Sequence, residues 1–199
     1  MESYIKCGDC LELMKDIPDN SIDLVVTDPP YGISYQSCRV ERERRKAKIL
    51  NDEKPFIEFI PEISRILKPS GACAIFTRWD VQQQFIDSMN DNDLKPQNIL
   101  IWDKVQHGMG DLRRSFGSRY ESILFHANKD FRFQGKRPTD ILRFQRVSAS
   151  KMVHPNEKPV QLIEYLIDKC CAGGGHLCLI VLWAAARHAL QRRTWVVNT

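Results

Sequence analysis

Asp28-Pro29-Pro30-Tyr31 sets a carboxylate, two peptide carbonyls and a phenol within four residues. That set suits an exocyclic amine on a nucleobase. Such a nitrogen is a poor nucleophile because its lone pair is delocalised into the ring. Acceptors that hold its hydrogens draw the pair out of conjugation. Asp28 offers one acceptor and the Pro29 carbonyl a second, whose direction is set because proline locks φ. Tyr31 has the ring to stack on a base turned out of its duplex. The competing reading is structural: a strand end, a Pro-Pro turn, and Tyr31 in the core.

The motif directly follows Ile22-Asp23-Leu24-Val25-Val26, a strong strand signal that two prolines bring to an end. Ligands of open α/β sheets lie beyond the carboxyl ends of strands, where Asp28 to Tyr31 fall. Tyr4 to Cys7 predicts another strand, and Leu11 to Ile17 a short helix closed by Pro18. Residues 34–50 are polar and basic and read as a mobile loop. Apolar spacing predicts a helix from Pro55 through Leu67, stopped by Lys68-Pro69-Ser70-Gly71. Ala72 to Thr77 follows as a buried strand, Asp80 to Met89 as a helix and Asn98 to Trp102 as a strand. Lys158 to Cys170 forms an amphipathic helical pattern. Strands alternating with helices imply an α/β fold with a parallel sheet.

With 199 residues, 43% of them apolar and 27% charged, the chain suits one soluble domain. No apolar run approaches a membrane span, and no secretory signal opens the chain, so a cytoplasmic protein is expected. Of the seven cysteines, Cys7 and Cys10 form one C-x-x-C, with no second pair at zinc spacing. No metal site is expected, and reduced thiols fit the compartment. The net charge of +4 is unevenly spread: Lys104 to Lys151 holds eleven Lys/Arg against four Asp/Glu. Such clusters attract a polyanion, most commonly nucleic acid, although a solvated mixed-charge surface gives the same composition.

The run Gly8-Asp9-Cys10-Leu11, then Ile22 through Gly32, resembles the opening of the DNA methyltransferases that modify amino groups of adenine (N6) or cytosine (N4). The resemblance continues in Ile66-Leu67-Lys68-Pro69-Ser70-Gly71 and Ile101-Trp102-Asp103-Lys104, and returns in His154-Pro155-Asn156-Glu157-Lys158-Pro159. It implies a Rossmann-like sheet dependent on S-adenosylmethionine, in the subgroup with the catalytic motif first and the cofactor loop last. It also implies Asp28, Pro29, Pro30 and Tyr31 as the catalytic set, adenine N6 more often than cytosine N4 as target, and direct transfer without a covalent enzyme intermediate; cytosine-N4 transfer and an inactive DNA-binding remnant are the alternatives. Asp9, Cys10, His154, Asn156, Glu157, Lys158 and Pro159 would border the cofactor. Residues 104–150 would read double-stranded DNA, with Arg113, Arg114, Arg119, Lys136 and Arg137 as contacts. The methyltransferase domain would then span residues 1–172, and residues 173–199 form an aberrant tail.

The family pattern requires, after residue 172, a strand with an acidic residue and then a glycine loop opening a helix. Residues 177–187 read Leu-Cys-Leu-Ile-Val-Leu-Trp-Ala-Ala-Ala-Arg instead, and no Asp or Glu follows Asp168. Read from the third base of each codon, Trp183-Ala184 and Trp195-Val196 each force a glycine, twelve positions apart, as the family carries them. A truncated or frameshifted C-terminus is therefore expected. A diverged chain with an apolar tail is the other reading. The consequences expected are a sheet short of strands beside its first ones, poor stability and impaired cofactor binding.

Overall fold

The computed structural model describes residues 4–32, 53–108, 113–148, 157–171, 176–182 and 193–198. The basic loop read at 34–50 lies outside them. Among the described residues, eight strands make one sheet. In chain order the elements are β1 (Tyr4–Cys7), α1 (Cys10–Lys15), β2 (Ile22–Asp28), α2 (Ile60–Ile66), β3 (Leu67–Thr77), α3 (Gln82–Asp91), β4 (Asn98–Asp103), β5 (Tyr120–Ala127), β6 (Ile141–Arg143), α4 (Val160–Cys171), β7 (Leu177–Leu182) and β8 (Arg193–Asn198). Their spatial order is β1-β8-β7-β2-β3-β5-β4-β6.

The sheet is mixed rather than parallel. Parallel β7, β2 and β3 form its centre, while β5 runs antiparallel between β3 and β4. β2 is buried along nearly its whole length, as its continuous apolar run requires of a strand covered on both faces. β5 corrects the reading of 104–150 as one recognition region. Ile123 and Leu124 are fully buried, so the middle of that stretch is core.

The tail also differs from expectation. The sheet does not lose its inner neighbours, because Leu177–Leu182 pairs in parallel with Leu24–Asp28. Cys178 and Leu179 are fully buried. β8 then returns antiparallel to β7, and β1 pairs antiparallel with β8. The carboxyl ends of β1, β7, β2 and β3 therefore share one edge of the sheet. Asp23 ties three of these strands together at the opposite edge. Its Oδ2 accepts from Lys68 Nζ at 2.7 Å and from the Leu177 N–H at 2.8 Å, and His176 Nδ1 lies 3.3 Å from Oδ1. Burial pushes the Asp23 carboxyl up, but Lys68, the Leu177 N–H and His176 together hold it below the usual carboxylate range.

The predicted helix from Pro55 is shorter than its apolar pattern. Pro55 bridges Tyr31, and the Phe56 N–H donates to the Pro30 carbonyl at 3.0 Å, which holds this stretch extended against the Asp28–Tyr31 loop. Gly32 makes the approach feasible. It has φ +78°, and a Cβ there would stand 2.6 Å from the Lys54 carbonyl carbon. Lys68-Pro69-Ser70, expected as a helix stop, already belongs to β3. Among the described residues, no helix is long and apolar enough to cross a membrane.

Candidate active site

Strand alternation builds the site. Asp28 follows Thr27, which is level with Ile75, so Asp28 and Phe76 share a face of the sheet. Phe76 is level with Ile123 on β5, which puts Glu121 on that face too, and Trp102 on β4 is level with Glu121. Lys158, two residues before α4, reaches into this face from above, with only 6% of its side chain exposed. Its Nζ lies 2.9 Å from Asp28 Oδ2 and 2.9 Å from Glu121 Oε2. The Glu121 contact is ionic and lacks the alignment of a hydrogen bond. Lys104 Nζ meets the other Glu121 oxygen at 2.8 Å. The rings of Phe76, Tyr31 and Trp102 wall the Lys158 ammonium, with centroids 5.1, 5.8 and 5.9 Å away.

Asp28 is thus engaged on both oxygens, since the Tyr31 hydroxyl donates to Oδ1 at 2.5 Å. Tyr31 is 8% exposed: its ring lies in the core, and its hydroxyl lies on the Asp28 carboxylate. Burial pushes the Asp28 carboxyl above its ordinary range, against the pull of Lys158. Burial, and then the neighbouring Asp28 charge, raise the Tyr31 phenol well above its own. Burial would also raise Glu121, but Lys158 and Lys104 hold it low. Burial disfavours the Lys158 charge, and Asp28 and Glu121 more than restore it. Lys158 is therefore an ammonium, and its two partners compete for it.

The residues read as a cofactor border divide. Asp9 is exposed and caps α1, accepting from the Leu11 N–H at 3.0 Å, at the carboxyl end of β1. Cys10 is fully buried in the core. Lys158 belongs to Asp28, Glu157 and Pro159 stand beside it, and His154 and Asn156 lie outside the described residues. The basic residues divide as well. Arg113, Arg114 and Arg119 sit on the β4–β5 connection, at the same sheet edge as Asp28. Arg119 makes a bidentate pair with Asp103 at 2.7 and 2.8 Å. Lys136 and Arg137 lie toward the far edge, where Arg137 lines a cavity of about 390 Å³ with Asn98, Phe125 and Lys169. Glu121 was missed in the sequence, because a single carboxylate within a basic stretch carries no motif. Lys104 was seen only as part of a string. Exposed Trp79, two residues past β3, and exposed Phe116 on the β4–β5 connection also escaped notice.

A carboxylate at a strand's carboxyl end, followed by a Pro-Pro turn and paired with a buried lysine, stands at the end of the sheet where α/β folds hold their ligands. Comparison supplies the class. The N6/N4 DNA methylase family profile matches residues 22–177, and the chain belongs to that family. It is 27% identical over 213 residues to the type II methyltransferase M.BglII of Bacillus subtilis, an alignment covering 80% of this chain and 54% of that protein. The chain thus spans about half the length of that relative. Among solved structures, PvuII DNA methyltransferase (cytosine-N4-specific) superposes with TM-score 0.66 at 15% identity, covering 87% of this chain and 72% of that one. The M1.HpyAVI complex with S-adenosylmethionine superposes with TM-score 0.61 at 18% identity, covering 88% and 80%. At such identities these two structures establish a shared fold.

Proposed function

We propose that this chain transfers a methyl group to the N6 amino nitrogen of adenine in double-stranded DNA, through Asp28 and the Pro29 carbonyl. The observation that carries the reading is the buried Asp28 carboxylate, anchored on one oxygen by Lys158 and covered on the other by a hydroxyl that a substrate amine replaces. Asp at the head of the motif, rather than Ser, favours adenine. On entry of a flipped base, the amine takes the Tyr31 position on Oδ1, and the released Tyr31 ring becomes available for stacking. Asp28 and the Pro29 carbonyl then hold both amino hydrogens and direct the lone pair out of the ring plane. As the nitrogen gains its methyl it sheds one proton, and Asp28 Oδ1 stands where that proton leaves. Arg113, Arg114 and Arg119 supply phosphate contacts at this edge, and Trp79 and Phe116 offer faces for unstacked bases.

S-adenosylmethionine supplies an electrophilic methyl on sulfur when bound. Asp9 fits it: its exposed carboxylate stands on the same sheet edge as Asp28 and suits ribose hydroxyls or an amino group. His154, Asn156, Glu157 and Pro159 remain proposed contacts, Cys10 lies buried beside Asp9, and Lys158 approaches the cofactor side while paired with Asp28. A second reading has support of its own. β7 carries no acidic residue and turns back into antiparallel β8, where a glycine loop and helix would serve the cofactor. A shifted reading frame accounts for this, and the chain is then a DNA-binding scaffold with weakened cofactor affinity.

Incubation with labelled S-adenosylmethionine and unmethylated DNA, followed by nucleoside digestion, tests the proposal. N6-methyladenine made by the chain supports it. N4-methylcytosine moves the target base. DNA binding with no product at saturating cofactor supports the scaffold reading.

A further inference from the structure

Four charges alternate through the buried face: Asp28, Lys158, Glu121 and Lys104, at spacings of 2.9, 2.9 and 2.8 Å. Glu121 comes from β5, a strand that no catalytic motif touches. Its side chain is 18% exposed, and both its oxygens face lysines. A carboxylate is costly to bury, and two of them around one ammonium more so. Asp28 needs a cation to stay ionised in this setting. A cation given wholly to Asp28 would weaken it as a hydrogen-bond acceptor for an amine. Lys158 stands at equal distance from both carboxylates, and Lys104 holds the far side of Glu121.

We propose that Glu121 is a positioning residue for methyl transfer: by sharing the Lys158 ammonium, it fixes that ammonium on one oxygen of Asp28 and keeps the other oxygen a strong acceptor for the substrate amine. The inference rests on Asp28 being the amine acceptor. Among the described residues, the charged or titratable groups that enter the balance are Tyr31 on Asp28's own loop, Lys158 before α4, Glu121 on β5, Lys104 after β4, and Arg78 after β3, whose charge is felt at Tyr31. The charge on Glu121 raises the proton affinity of Asp28, and that on Lys158 lowers it. Removing Glu121's charge therefore commits Lys158 to Asp28, and the acceptor weakens.

The test is Glu121→Gln in the full chain, with Asp28 followed by carboxyl carbon NMR across pH. Asp28 is expected to titrate at lower pH than in the parent, and Glu121→Asp to return it toward the parent value. Lys104→Gln frees Glu121 to draw Lys158 away, so it moves the Asp28 titration the opposite way, upward. That variant keeps the inference testable if Glu121→Gln does not fold. In methyl transfer, Glu121→Gln lowers kcat roughly tenfold with the DNA KM unchanged, less than the loss of a group that touches the reacting atoms. An Asp28 titration that stays put in folded Glu121→Gln, or moves down in Lys104→Gln, overturns the inference. An Asp28→Ala rate of methyl transfer within about tenfold of the parent overturns instead the reading on which it rests. The titration needs no turnover, so the two failures are distinguishable.

Discussion

On one side of β2, the strands β3, β5 and β4 carry a charged, walled and fully engaged face around Lys158. On the other side, β7 offers Leu177-Cys178-Leu179-Ile180-Val181-Leu182 and nothing that holds a ligand by charge. Both sides satisfy β2 equally as a sheet. A central strand asks its neighbour only for paired backbone and apolar side chains, and β7 provides these whatever became of its cofactor chemistry. The requirements of folding and of catalysis thus separate at β2. The charged face on one side of β2 and the apolar strand on the other answer to different demands.

The largest effect expected on the catalytic side is on rate. Asp28→Ala should lower methyl transfer by about 10³-fold, the scale for removing one group aimed at the reacting atoms. Initial rates at saturating DNA and cofactor check this, and a loss under tenfold would put the acceptor elsewhere. Next comes stability. Lys158→Met leaves Asp28 and Glu121 buried without their shared cation, and should cost about 3–5 kcal/mol in urea unfolding.

The β7 side should answer differently. Leu179→Ala empties a fully buried site and should cost about 2–5 kcal/mol if β7 is seated between β2 and β8. A cost near zero would mean that the tail lies outside the sheet. At the mildest end stands the rim. The Arg119 guanidinium, with the Val105 N–H, holds the Asp103 carboxyl at about 2. Its folded value lies below its ordinary one of 3.8, so its stabilisation is present above that value. It is lost as pH falls toward 2. Arg119→Ala should flatten that acid limb in a pH series of melting curves and change neutral stability little, since the pair is exposed.

Legibility in the sequence follows the same division. β1, β2, β4 and α4 were readable because each carries a local signal, a period or an abrupt stop. The motif at Asp28 was readable because its residues are contiguous. β5 was not, because Tyr120–Ala127 lies in a basic stretch whose charge dominated the reading, and its apolar core is brief. Glu121 and Lys104 meet Lys158 only through strand register across β5 and β4, which no sequence window contains. Lys158 was visible in its motif, but its pairing with Asp28 was not, because the two residues lie far apart in sequence. The helix from Pro55 came out short because Phe56 is held by Pro30, a tertiary contact that overrides apolar spacing. β7 escaped because it lacks what the family pattern demands, although a plain apolar hexamer is all that the sheet needs there.

The most direct measurement is the rate of methyl transfer to unmethylated DNA as a function of S-adenosylmethionine concentration, for the parent chain beside Asp28→Ala. The account predicts a measurable kcat that Asp28→Ala lowers by about 10³-fold, and a cofactor KM at or beyond the upper end of the usual range, about 1 mM. A micromolar cofactor KM would contradict the separation at β2, and an Asp28→Ala rate within about tenfold of the parent would contradict the site itself.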